Sequence, residues 1–85
     1  MKVTYQFPLE HSSTTLMLPQ SAQVLHVDVQ DDITVLWALV DTEEPMEDRR
    51  FEVFQTGMGM PKHLNYQYIS TFHYKGSTFH AFERL

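Results

Sequence analysis

Apolar and polar residues alternate along most of this chain. In Lys2–Phe7, Val3, Tyr5 and Phe7 interleave with Lys2, Thr4 and Gln6, the period-2 pattern of a strand with one buried face. Pro8 closes the run, because proline has no ladder donor. Glu10-His11-Ser12-Ser13 reads as a turn, and Thr14–Leu18 as a second strand ended by Pro19. In Val24–Gln30, Leu25, Val27 and Val29 share one face, and Val24, His26, Asp28 and Gln30 the other. Asp31-Asp32 then marks a tight turn. Ile33–Val40 is apolar at every position except Thr34. Such a run fits a strand buried on both faces and central in its sheet. Periodicity alone equally allows a short buried helix, but Val, Ile, Thr and Trp favour the strand.

Asp41–Asp48 is an acidic loop, with Pro45 suited to the first turn of a short helix or to a type I turn. Arg50–Thr56 returns as a strand, followed by Thr56-Gly57-Met58-Gly59-Met60-Pro61 and a turn or 3₁₀ segment over Lys62–Asn65. Asn65–Tyr74 and Thr78–Glu83 are the last two strands. No repeat, linker or low-complexity segment interrupts them. The expected fold is a single all-β domain over residues 1–85. It has six or seven short, mainly antiparallel strands in a small sandwich or partly open barrel, with at most one or two short helical turns.

The last hairpin predicts side-chain neighbours. Gly76-Ser77 suits a type II′ turn, which wants glycine at its first central position. That turn sets His73 opposite His80, with Cβ atoms roughly 5 Å apart. It gathers Phe72, Tyr74, Phe79 and Ala81 on one face, and Thr71, His73, Lys75, Thr78 and His80 on the other. His73 and His80 are therefore candidate metal ligands, with His26, Asp28 or Glu52 as the third donor such a site would need. Two solvated histidines on a water-facing surface is the simpler expectation, and no metal or other cofactor is called for.

Composition narrows the chemistry. Eighty-five residues make one core, burying roughly 60–65% of the unfolded chain's surface. Eleven aromatic residues (one Trp, six Phe, four Tyr) can fill that core. The absence of cysteine excludes disulfides, thiolate metal sites and thiol catalysis. A formal charge of −5 disfavours nucleic-acid binding. The first residues show no apolar signal-peptide stretch, and no apolar run approaches membrane-spanning length, so a cytoplasmic protein is expected.

Three further groups of residues invite a functional reading. Thr56–Pro61 lacks the Lys and Ser/Thr of a phosphate loop and has no following helix, so Gly57 and Gly59 are expected to give positive φ at a corner. Asp41, Glu43, Glu44, Glu47 and Asp48 lack the order of a calcium loop and fit a solvated loop or a partner contact. With Met58 and Met60, they are the candidate partner-binding residues. A ligand-binding alternative uses Arg49, Arg50, Gly57, Gly59 and Lys62, with Trp37, Tyr66 or Tyr68 as stacking platforms for a nucleotide. Those three aromatics are more simply core residues. Ser12, Ser13, Ser21, Ser70 and Ser77 and the five histidines form no recognisable nucleophile motif, so an enzyme is not expected.

Leu18-Pro19-Gln20-Ser21-Ala22-Gln23-Val24-Leu25-His26-Val27, Leu36-Trp37-Ala38-Leu39-Val40-Asp41 and Arg50-Phe51-Glu52-Val53-Phe54-Gln55-Thr56-Gly57 occur in that order, followed by Tyr68-Ile69-Ser70-Thr71-Phe72 and Phe79-His80-Ala81-Phe82-Glu83. This series resembles a family of small, uncharacterised bacteriophage proteins over nearly the whole chain. The sequence departs from it at Gln20-Ser21, where a Lys-Gly-like turn is expected, and at Met58, where a histidine is expected. The resemblance implies a phage accessory protein in the cytoplasm of an infected bacterium, and it brings no catalytic residues. The leading expectation is a non-enzymatic module that binds a host protein. A nucleotide-sequestering protein and a small virion component, self-associating through an edge strand, are the alternatives.

Overall fold

The computed structural model describes residues 1–85. Seven strands form two antiparallel sheets with no helix: β1 (Lys2–Pro8), β2 (Ser13–Pro19), β3 (Gln23–Gln30), β4 (Ile33–Asp41), β5 (Met46–Gln55), β6 (Tyr66–Tyr74) and β7 (Ser77–Arg84). The first sheet runs β1-β4-β3 and the second β2-β5-β7-β6. Together they make the all-β sandwich expected from the alternation, a flat slab of 40 × 34 × 16 Å. As expected from its apolar run, β4 is central in the first sheet.

The core lies between the sheets. Leu36, Ala38 and Val40 of β4 meet Val27 of β3, Leu18 of β2, Phe51 of β5, Phe72 of β6 and Ala81 of β7. Only 13 of the 85 residues are buried, and Val3, Phe7, Leu16, Val24, Val29, Val53, Ile69 and Phe79 pack partly buried against them.

Two bulges change the expected faces. In β3 the register shifts between Val24 and His26. Leu25 is therefore turned outward and exposed, while Val24 packs against the core. The expected grouping of Leu25 with Val27 and Val29 fails here because a bulge inserts one extra residue and resets the alternation. A second bulge, between Tyr68 and Ser70 in β6, has the same effect on the N-terminal half of that strand.

The β6–β7 hairpin also corrects the expected register. Lys75 (φ 49°) and Gly76 (φ 79°) are both left-handed, the signature of a type I′ turn over Lys75-Gly76, not a II′ turn over Gly76-Ser77. Tyr74 then pairs with Ser77, His73 with Thr78, Phe72 with Phe79 and Thr71 with His80. The facing rings of Phe72 and Phe79 stack with centroids 5.6 Å apart, a contact the expected register would forgo. The two-residue shift keeps the faces, because strand side chains repeat every two residues. Asp31 and Asp32 likewise form the expected tight turn, with φ of 51° and 65°. Ser21, where a glycine-like turn residue is expected, holds φ 64°.

β5 begins at Met46, so Glu47 and Asp48 belong to a strand instead of the expected loop. Their backbones pair with Leu18 and Met17 of β2.

Candidate interaction site

Two sheets leave two outer faces, and that of the four-stranded sheet is unusual. Register places Phe54 of β5, Phe82 of β7 and Tyr66 and Tyr68 of β6 on it. Phe54, Tyr66 and Phe82 form a triangle of edge-to-face pairs with centroids 5.7, 5.9 and 6.0 Å apart. Tyr68 joins Phe82 at 5.7 Å and is 56% exposed. No strand of the first sheet packs over them, since that sheet lies on the opposite side. The β6 bulge creates this cluster. Without it, Tyr66 and Tyr68 would share the inward face with Phe72 and Tyr74.

Polar groups surround the rings. Both nitrogens of His80 meet threonine hydroxyls, Nε2 with Thr56 at 2.7 Å and Nδ1 with Thr71 at 2.9 Å. The Thr71 hydroxyl also meets the Tyr68 hydroxyl at 2.7 Å. On the opposite flank, the Tyr66 hydroxyl approaches Glu52 at 3.4 Å. Desolvation by its neighbours, reinforced by the Glu52 carboxylate, pushes the Tyr66 hydroxyl above its usual range. Arg84 lies 4.0 Å from Glu52, and Arg50 Nε donates to Ser13 at 3.1 Å. An apolar centre inside a polar rim is the anatomy of a protein-binding surface.

The expectation that Trp37, Tyr66 and Tyr68 fill the core is corrected. Trp37 lies on the outer face of the first sheet, half-buried and stacked with His26 at 6.2 Å. Alternation says which residues share a face, but not which face turns inward.

The candidate residues from the sequence are dispersed. Arg49 and Arg50 face opposite sides of β5, so no single site uses both. Arg49 points between the sheets, where Nε and Nη2 each donate to Glu83 at 2.7 Å and Nη1 donates to the Ala22 carbonyl. Its guanidinium also lies 6.0 Å from the Phe51 ring centre. The Glu83 hydrogen bonds raise its already high pKa further. Arg49 is thus a structural clamp, and Glu83 is a partner that spacing alone did not announce. Lys62 is exposed in the β5–β6 loop.

Gly57 has φ 92° in a turn closed by Met58 N–H donating to the Gln55 carbonyl at 3.0 Å. Gly59 does not have the positive φ expected of it; the turn closes at Met58 and needs only one left-handed residue. Met58 leans over a pocket of about 280 Å³ at this end of the sandwich, floored by Leu9, Val53, Phe72 and Phe79. The acidic group divides. Asp41, Glu43 and Glu44 occupy the β4–β5 turn, where Glu43 N–H donates to Asp41 at 3.1 Å. That turn and the Met58–Met60 corner lie at opposite ends of β5, about 30 Å apart for ten extended residues, so they do not form one patch.

His73 and His80 face threonines rather than each other, because the I′ turn sets the register. His73 Nδ1 meets Thr78 at 3.1 Å. No group of three or more His, Cys, Asp or Glu side chains is set to hold a metal.

The fold and this face describe a small two-sheet β protein with an aromatic outer surface. Across residues 1–85 the chain matches a domain family of unknown function, DUF7352, and it belongs to that family. No curated protein and no solved structure matches it.

Proposed function

We propose that this is a phage-encoded, non-enzymatic binding module that holds a host protein against the outer face of its four-stranded sheet. The observation that carries the reading is the Phe54–Tyr66–Tyr68–Phe82 cluster, left uncovered on a face that an antiparallel sandwich normally makes polar. Tyrosine and arginine are the residues on which interface energy concentrates, and Arg50 and Arg84 border the rings.

The partner chemistry follows from the charges. On this face Arg50 and Arg84 stand alongside Asp48 and Glu52, so the surplus of the −5 chain lies elsewhere. A near-neutral aromatic face suits a protein surface and offers little to a phosphate backbone. The phage context rests on the resemblance carried by Leu36–Asp41 and Arg50–Gly57, and with it the cytoplasm of an infected bacterium as the place of action.

The test is capture of partners from bacterial lysate by wild-type protein, Tyr68→Ala and the triple charge reversal Glu43→Lys, Glu44→Lys, Glu47→Lys. Tyr68→Ala should lose the captured protein at least tenfold, while the triple reversal keeps it. A partner kept by Tyr68→Ala and lost by the reversal would move the contact to the acidic turn and overturn this site. A captured nucleic acid or nucleotide in place of a protein would overturn the partner class.

A further inference from the structure

β1 is an open edge whose backbone is self-complementary. Leu9 N–H donates to the Thr34 carbonyl, and Thr42 N–H donates to the Met1 carbonyl. Both bonds follow the unbroken β1–β4 register, in which Lys2 pairs with Asp41 and Pro8 with Val35. Odd residues of β1 therefore direct their backbone groups to β4. Even residues must direct theirs to the free edge, because antiparallel ladders alternate sides. The outward groups are the N–H and C=O of Lys2, Thr4 and Gln6. Pro8, also even, has no N–H to expose.

The side chains show the same unfinished edge. Val3, Tyr5 and Phe7 face the core side. Val3 and Phe7 pack against it, yet Tyr5 is 49% exposed. Phe7 is the aromatic ring it meets, edge-on at 6.4 Å. Natural edges are guarded by charge, bulges or internal proline. β1 has none of these between Lys2 and Pro8. Its neighbour β4 presents only apolar residues, Leu36 to Leu39, opposite Thr4–Phe7.

We propose that β1 pairs antiparallel with β1 of a second copy of this chain about a twofold axis at Thr4, joining two three-stranded sheets into one of six. In that register Lys2 faces Gln6 of the partner subunit, and Thr4 faces its own copy. Every outward donor meets an acceptor. Pro8 falls beyond the paired segment. Val3 lies opposite Tyr5 of the partner subunit in the non-hydrogen-bonded position, where side chains approach most closely. Aromatic–β-branched and Thr–Thr pairs are both favourable across strands. Lys2 is the strand's only charge and meets an uncharged glutamine, so the negative net charge does not oppose the contact locally. A register two residues further along would set Pro8 against Lys2 and lose a donor. This interface is separate from the aromatic face of the other sheet, so either can fail without the other.

Sedimentation over a concentration series tests it. A strand-only interface is small, so the wild type should dissociate in the micromolar range, about 10–500 μM. Thr4→Pro deletes the central outward donor and leaves the β4 ladder intact; it should be monomeric throughout. Tyr5→Lys, which cannot disturb a filled core, should weaken the dimer at least tenfold. Thr15→Pro makes the equivalent deletion on the free edge of β2 and should leave the dimer unchanged. Amide NMR spectra confirm that each variant is folded. A wild type that stays monomeric at about 1 mM, a dimer that survives both β1 changes, or a dimer lost with Thr15→Pro would overturn the proposal.

Discussion

The two sides of the sandwich, where one sheet gives way to the other, are built differently. On one side β3 lies against β6, and side chains complete the backbone of the gap between them. The Ser70 hydroxyl accepts from Val27 N–H at 2.9 Å and donates to the Val27 carbonyl at 2.7 Å. Val29 N–H donates to Asp28 at 2.7 Å. Both bulges lie on these two strands. On the other side, β1 and β2 run straight and end in Pro8 and Pro19. Val53 N–H donates to Ser12 and Gln20 N–H to Pro45, so on β2 the outward residues are Ser13, Thr15, Met17 and Pro19. Each open edge thus ends in a proline at an outward-directed backbone position, exposed at Pro8 and buried at Pro19, so neither position has an N–H to leave unpaired. The closed side spends irregular backbone to satisfy itself; the open side keeps regular backbone and leaves donors free. Irregularity marks where the fold is finished, and regularity marks where another strand can be added.

Removing the clamp near the closed side should have the largest effect. Arg49 and Glu83 are 18% and 13% exposed at their side chains, and their pairing is bidentate. Glu83→Ala leaves the guanidinium with only the Ala22 carbonyl, so a loss of about 3 kcal/mol is expected in urea unfolding. Glu83→Gln, which keeps one acceptor, should lose less. Equal losses would mean that packing of the stem, not the charge, carries the contact.

Ser70→Ala comes next. It strips both backbone groups of Val27 of their partner in a buried site, for an expected cost of about 2 kcal/mol. Val27 amide exchange should quicken more than its neighbours'. On the open side Thr15→Ala, at an exposed edge, should change stability by less than about 0.5 kcal/mol. Comparable costs at both positions would erase the distinction between the two sides.

How much of this was legible in the sequence follows the same division. The regular strands could be read directly. Ile33–Val40 announced a central strand, and Val3, Tyr5 and Phe7 announced a one-sided one. The closed side could not be read, because a bulge has no strong residue signature at Leu25 or Ile69. One unannounced residue in β6 moved Tyr66 and Tyr68 from the expected core to the outer face, and with them the candidate site. The type I′ turn at Lys75-Gly76 was not legible because glycine serves both turn types; the left-handed φ of Lys75 distinguishes them, and the Phe72–Phe79 stack goes with the resulting register. Glu83 lay 34 residues from Arg49, a distance over which spacing carries no information. Ser21 is the nearest to a visible clue: a left-handed residue at the place where a glycine-like turn was expected.

The smallest effect belongs to the open side, at Asp41, where β4 ends beside Lys2 of β1. Its carboxylate accepts from Glu43 N–H, the main influence holding its pKa below the usual value, and then from the N-terminal ammonium at 3.2 Å. A carboxyl with a lowered folded pKa binds protons less readily than in the unfolded chain. Its contribution is therefore fully present above the unfolded value near 3.8 and is lost as pH falls through the lower folded value. Asp41→Asn should flatten that acid limb by slightly lowering stability at neutral pH, where the wild-type contribution is present, and leave strongly acidic stability unchanged; the neutral-pH loss is small because the pair lies at the surface and is screened. Because Asp41 neighbours the free edge, the same substitution also probes β1. If loosening the β4–β5 turn raised Tyr5 exchange or weakened dimerisation, the open edge would depend on this turn to hold it straight. If neither moved, the regularity of β1 would be its own, set by alternation and by its ladder with β4.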